Sequence, residues 1–467
     1  MFRSEWFKSE SLADTHRVST DELPHIVVAG GGFAGFYATR RLHRLLQGRA
    51  QVTLVSPTDY LLYSPLLPEV ATGVLDPRDI AVPLRQALPG VRQIHGRVVA
   101  ADIHEHTVRV IPRDADAATL RWDRLVLVPG SVTRQFDIPG VPEHAHGLKT
   151  LQEATFLRNH LLAQLDQADT LPDTDAGRRE RAERLTVVAV GAGYTGSEFV
   201  AQAQHWLRSI ASRWSSIDPD EIRWLLVDVA AQVLPELGPR LGRAALHILA
   251  ERGVEVRLGV SVVSASPTSV TLTDGTTVAT RTLVWSAGVD PSPLIAALGL
   301  PTSRGRLIVD AHMSVPGVEH IWAGGDAAAV PDLAGVRAAD GTLPATAPTA
   351  QHAQRQGVVI ARNVAASLGV GRSKQYRHRD LGLVADLGGT AAVARPLGIP
   401  LTGPMAKIVA RGYHLYALPT ASAKVRVATD WIFASVLPTR VVQLDNVRAE
   451  DALIGTAQST GIYRSPG

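Results

Sequence analysis

PHIVVAGGGFAGFYATRR, residues 24–41, carries more of this chain's organisation than any other stretch. His25 to Ala29 is a short run dominated by β-branched residues, the composition of a buried parallel strand. It leads straight into Gly30, Gly32 and Gly35, and a helical pattern carrying Tyr37, Ala38, Leu42 and Leu45 follows. Strand, G-x-G-x-x-G and helix in this order form the dinucleotide fingerprint. Gly30 permits the tight turn, Gly32 lets the backbone approach a pyrophosphate, and Gly35 lets helix and strand pack closely. The anion would rest on the free N–H groups of the helix N-terminus. Taken alone, the stretch also suits a glycine-rich turn in any α/β domain.

The chain writes the pattern twice. LTVVAVGAGYTGSEFVAQ, residues 185–202, places Gly191, Gly193 and Gly196 after an apolar strand and before a helix. Two such units predict an α/β protein with two Rossmann-like domains, each holding one dinucleotide. A length of 467 residues with 45% hydrophobic content suits two to three globular domains. A net charge of +3 argues against a nucleic-acid partner. Charge is uneven, since residues 371–467 hold 12 Lys and Arg against 6 Asp and Glu. No apolar run reaches the length of a transmembrane helix, and residues 1–23 lack the apolar core of a secretory signal, so they read as a loose extension. Cysteine is absent, which excludes a redox-active cysteine pair, a thiolate metal site and c-type haem attachment. His144, His146 and Lys149 form no metal-ligand pattern, so no metal site and no catalytic role is assigned to them.

The second strand of the first unit, Gln51 to Val55, ends at Ser56 where such units usually place an acid that holds a ribose hydroxyl; Asp59 is the nearest carboxylate. DYLLYSPLLPEVATG follows, residues 59–73. Here the chain resembles the type II NADH dehydrogenases, single-subunit flavoproteins that oxidise NADH and reduce quinone without pumping protons. Tyr63, Pro65, Leu66, Leu67, Pro68, Glu69, Ala71, Thr72 and Gly73 match that family's F-x-P-L-L-P-E-V-A-T-G segment. The resemblance runs from about residue 24 to about residue 445. It implies FAD at the first glycine loop and NADH at the second, with electrons leaving the flavin directly because no cysteine can relay them.

The remaining stretches follow the same order. DRLVLVPGS, residues 123–131, is a strand whose turn at Gly130 returns to the flavin, and the segment after it resembles the family's hinge into an inserted NADH domain. Glu198, in GYTGSEF, is read either as a first-turn carboxylate that favours the helix dipole or, by resemblance, as a catalytic residue beside the flavin that assists quinone protonation. Asp228 ends the second strand of this unit, where an acid hydrogen-bonds the 2′-hydroxyl of NAD and repels a 2′-phosphate. HIWAGGDAAAV, residues 320–330, places Asp326 at a Gly-Asp turn that contacts FAD in related reductases. In APTAQHAQRQGVVIARNVAASLG, residues 347–369, Pro348 suits the first helical turn, and the resemblance makes Gln351 the quinone-site residue.

The tail is expected to form a small sheet and two helices. Lys407, Arg411 and His414 fall on one helical face, and Trp431, Ile432 and Phe433 precede Val436, Leu437 and Arg440. Aromatic residues with basic flanks, together with the family's membrane-facing helices, point to a peripheral position on a membrane surface, on the cytoplasmic face. The competing reading is a helix pair packed on its own domain or at a homodimer interface. The expected division is an N-terminal extension (1–23), an FAD domain in two segments (24–150 and 291–372), an NADH domain (151–290) and a membrane-association domain (373–467). Two other functions remain compatible with these residues. One is a soluble NADH-dependent reductase of a ferredoxin- or rubredoxin-type acceptor; the other is a flavin-bound NADH sensor resembling apoptosis-inducing factor.

Overall fold

The computed structural model describes residues 23–378, 380–444 and 447–455, so the expected extension lies almost wholly outside the described residues. The chain opens with β1 (His25–Ala29), α1 (Phe33–Leu46) and β2 (Gln51–Ser56). Next come α2 (Leu67–Ala71), β3 (Arg92–Asp102), β4 (Thr107–Pro112), β5 (Ala118–Arg121) and β6 (Arg124–Leu127). It then builds β7 (Ala145–His146), α3 (Leu151–Asp169), β8 (Thr186–Val190), α4 (Tyr194–Ile210), β9 (Arg223–Asp228), β10 (Val254–Leu258) and β11 (Thr282–Trp285). Only afterwards does it return with β12 (Ile321–Ala323) and α5 (Ala350–Ser367).

The first sheet has the order β12-β6-β1-β2-β3-β4-β5. Its first four strands and the head of β3 run parallel, and β3 then continues into an antiparallel ladder with β4 and β5. Central β1 buries Ile26, Val27, Val28 and Ala29 on both faces, which is why the sequence there is a continuous apolar run and not an alternating one. The second sheet, β7-β11-β8-β9-β10, is parallel throughout. Chain order and sheet order together make the second unit an insertion between β6 and β12. Helix α5 packs directly on α1, and at Gly357 the approach is so close that a Cβ would come within 2.2 Å of the Ala34 carbonyl oxygen. Thr349 caps α5 by accepting the His352 N–H, so Pro348 precedes the helix and does not occupy its first turn.

A third, antiparallel sheet follows, built from β13 (Val384–Asp386), β14 (Ala392–Ala394) and β15 (Leu401–Thr402). Helices α6 (Gly403–Ala417) and α7 (Ala421–Val436) follow the third sheet, and beyond them Ala452 and Ile454 are buried again. Sequence periodicity groups the residues of each face, and the structure shows which face looks outward. Lys407, His414 and Trp431 turn inward, and Arg411 lies 5.0 Å over the Trp431 ring. Met405, Ile408 and Tyr416 of α6 and Val425, Ile432, Phe433 and Val436 of α7 are exposed. Lys407, Arg411, His414 and Trp431 thus serve an internal cluster, and the outer face is rich in apolar side chains. Among the described residues no helix is long and apolar enough to cross a membrane.

Candidate active site

The two glycine loops share one geometry, position by position. Gly30 and Gly191 take φ of 119° and 109°, a region open to glycine and strained for other residues. At Gly35 and Gly196 a Cβ would collide with the carbonyl oxygen of Gly30 or Gly191, at 1.7 and 1.9 Å. These four glycines are demanded by the fold. Gly32 and Gly193 are not: both have extended backbone with φ of −69° and −74°, and a Cβ there would meet nothing within 4 Å. Each leaves bare backbone facing open space at a helix N-terminus, the cradle a pyrophosphate requires. The residues present therefore fit one dinucleotide at each loop.

A cleft of about 1020 Å3 runs between the two units. Gly30, Gly32, Ser56, Gly130, Ser131, Lys149, Glu198, Asp326 and Gln351 all line it. From the second unit, Tyr194, Thr195 and Glu198 of α4 reach the cleft, whereas Gly191, Gly193 and Asp228 stand off it. Asp228 accepts the Ala192 N–H of the second glycine loop and the Ala230 N–H at 2.8 Å, so it braces that loop at the end of β9.

On the first unit's side, Asp326 belongs to a relay. The Ser131 hydroxyl donates to Asp326 Oδ2 at 2.6 Å, and Lys149 Nζ donates to Ser131 Oγ at 3.0 Å. Burial lowers the Lys149 pKa, and the carboxylates of Asp326 and Glu153 oppose that shift. Glu153 fixes the Lys149 backbone by accepting its N–H at 2.7 Å while completing a capping box with Thr150 at the start of α3. The Gly-Asp turn is held from the other side by Gln356 of α5, whose Oε1 accepts the Gly325 N–H at 2.7 Å and whose Nε2 donates to Thr346 at 3.0 Å. Gln351, one turn earlier on α5, donates to the Gly382 carbonyl at 2.8 Å and so ties the cleft to the segment entering the third sheet.

On the opposite wall Glu198 fronts a buried acidic cluster. Glu198 is the fifth residue of α4, beyond the first turn, so the helix-dipole explanation for a carboxylate there does not apply. Its Oε1 accepts the Asp386 N–H at 2.8 Å. Asp386 pairs with Lys407 Nζ, whose bond to Oδ1 is 2.6 Å long. Glu69, from the PLLPEVATG segment, accepts the indole N–H of Trp431. Burial, reinforced by the Asp386 charge, raises the Glu69 pKa to about 7. Burial also pushes Glu198 well above the usual carboxylate range, with Lys407 opposing. Nearby, Tyr63 Oη and His414 Nδ1 lie 3.1 Å apart, and burial drops the His414 pKa to about 4, so this imidazole is neutral at pH 7.

The pattern of the pyridine nucleotide-disulphide oxidoreductase family matches residues 24–357. The chain is 32% identical to the type II NADH:quinone oxidoreductase NdhA of Mycobacterium tuberculosis, over 84% of this chain and 83% of that one. It belongs to the type II NADH:quinone oxidoreductase family. Demethylphylloquinone reductase NdbB of Synechocystis is 30% identical over 88% of this chain and 96% of its own. The NDH2 structure from Plasmodium falciparum in complex with NADH, at 18% identity, shares the fold with a TM-score of 0.80 over 90% of this chain and 99% of that one.

With no cysteine, this oxidoreductase cannot use the disulphide chemistry in the broader family's description; the family it belongs to makes FAD and NADH its redox groups. The structure places Gly30, Gly32, Gly130, Glu198, Asp326 and Gln351 on the lining of one cleft, where Lys149 also stands. The Glu69, Asp386 and Lys407 cluster lies behind Glu198, and sequence reading assigned no such place to these three or to Lys149. Lys149 was set aside because nothing in its neighbourhood forms a ligand pattern; the lysine ahead of a capping box was the available signal. Glu69 was quoted only as part of a matched segment. Asp386 and Lys407 are 21 residues apart and meet only because α6 folds back on β13.

Proposed function

We propose that the chain oxidises NADH and reduces a membrane quinone through bound FAD, without proton pumping, from a peripheral position on a membrane surface. FAD supplies the step between a hydride donor and the two-electron reduction of a quinone. Gly30, Gly32, Gly130, Ser131, Lys149 and Asp326 would hold it, and Gly191, Gly193 and Gly196 would hold NADH. Asp228 would favour NADH over NADPH by repelling a 2′-phosphate. Gln351 and Glu198 flank the acceptor side. A quinone gains two protons as it is reduced, and buried carboxyls whose pKa values are raised by burial are suited to deliver them. The observation that carries this reading is the placement of Glu198 on the lining of the same cleft as the first glycine loop, backed by the Glu69 and Asp386 cluster. The outward apolar face of α6 and α7 supports a membrane position; a homodimer formed through that face is the competing use of it.

Anaerobic stopped-flow absorbance tests the assignment. NADH should bleach the flavin faster than NADPH, and a quinone analogue should restore the colour. Glu198→Gln should leave bleaching by NADH intact and slow recolouring by about two to four orders of magnitude, the worth of general acid catalysis. Fast bleaching with no recovery on quinone would overturn the acceptor assignment in favour of a protein acceptor or an NADH-sensing role.

A further inference from the structure

Away from the cleft, a second concavity of about 430 Å3 lies where the end of α1 meets the turn joining α6 to α7. Arg40, His43 and Arg44 line one wall, and Pro419, Thr420 and Ala421 line the other. Arg40 holds the two walls together by donating to the Pro419 carbonyl at 3.2 Å. Arg44 and His43 are exposed, and their side chains have no hydrogen-bond or ion-pair partner among the described residues. The turn is flanked by Tyr416 and Val425, both more than 60% exposed, and Lys424 Nζ is drawn over it by a 3.2 Å bond to the Tyr416 carbonyl.

We propose that this groove seats the phosphate of an anionic phospholipid at the edge of the apolar helix pair. The inference rests on the membrane-surface reading above and adds to it the lipid class and the residues that select it. Three observations carry it. The groove gathers three basic side chains with no carboxylate on its lining. Its far wall is the connection between the two helices whose apolar faces are exposed, so a headgroup in the groove leaves its acyl chains beside Tyr416 and Val425. Segment 371–467 also carries the basic excess that anionic leaflets attract. A guanidinium presents paired N–H donors that match two phosphate oxygens, which makes Arg44 the principal headgroup ligand and Arg40 the residue that shapes the site.

Vesicle co-sedimentation of the purified full-length flavoprotein tests this, using phosphatidylcholine vesicles and phosphatidylcholine vesicles doped with phosphatidylglycerol. Wild type should bind the doped vesicles more tightly. Arg44→Gln should weaken binding to doped vesicles roughly fivefold, the value of one basic residue at such a surface, and leave binding to pure phosphatidylcholine unchanged. Arg179→Gln, which removes the same charge from an exposed helix of the inserted unit, should change neither. An equal loss in Arg44→Gln and Arg179→Gln would overturn the groove, because net charge alone would then explain the effect. Equal wild-type affinity for both vesicles would overturn the groove and leave the membrane-surface reading in place. Absence of wild-type binding to either vesicle would overturn both.

Discussion

Gly32 and Gly193 show how a binding site announces itself in residues that the fold does not need. Their backbone is extended and their Cβ positions are empty of protein, so an alanine at either place costs the polypeptide little. Gly32→Ala should therefore leave the melting of the cofactor-free protein within about 0.5 kcal/mol of wild type. It should also lower FAD retention through gel filtration, since the methyl group enters the space kept for a pyrophosphate. Glu69 supplies the matching prediction for charge. Its folded-state pKa, raised to about 7, lies above its unfolded value, so the native state binds the extra proton. The stability this contributes is complete below pH 4.5 and is lost as pH rises through 7, by about 3 kcal/mol. Glu69→Gln should remove that slope, and urea denaturation at pH 5 and pH 8 measures it. The sequence made the glycines legible because their spacing is local. Glu69, Glu198, Asp386 and Lys407 were illegible as a set because they come from α2, α4, β13 and α6, and only tertiary packing brings them together.

At the level of elements, α6 and α7 depart from the usual surface helix, which keeps its apolar stripe inside: they bury Ala406, Ala410, Val427 and Trp431 yet leave Ile408, Ile432 and Phe433 outside. Here Lys407, His414 and Trp431 are turned in because Asp386, Tyr63 and Glu69 await them there. The periodicity of the tail identified both helices and the residues sharing a face, yet it could not tell which face looks outward. That choice depends on partners more than 300 residues away, as the Glu69–Trp431 bond illustrates. Since Ile432 and Phe433 are exposed, the double substitution Ile432→Asp and Phe433→Asp should preserve thermal stability and NADH-driven flavin bleaching in solution. It should also abolish sedimentation with vesicles and slow turnover with long-chain quinones. Retention of vesicle binding would assign the apolar face to a partner protein.

For the whole molecule, the repeated fingerprint made the two-unit plan readable, and the returning Gly-Asp strand at Asp326 indicated that the first unit is interrupted. The sheet orders carry the point further. The inserted sheet is complete once Trp285 has been made, but the flavin-side sheet lacks its edge strand until Ile321–Ala323, and α1 lacks its packing partner until α5. A ribosome adding ~5–20 residues per second needs on the order of tens of seconds to travel from β6 to α5. During that interval the edge of β6 and one flank of α1 have no cover, while the later-born unit can already close. The middle of the chain therefore contains the unit that matures first, and flavin capture is deferred until the segment through Ser367 has been made. Limited proteolysis of stalled nascent chains should find residues 145–285 protected, and residues 24–127 still cleavable, until the segment through Ser367 has emerged.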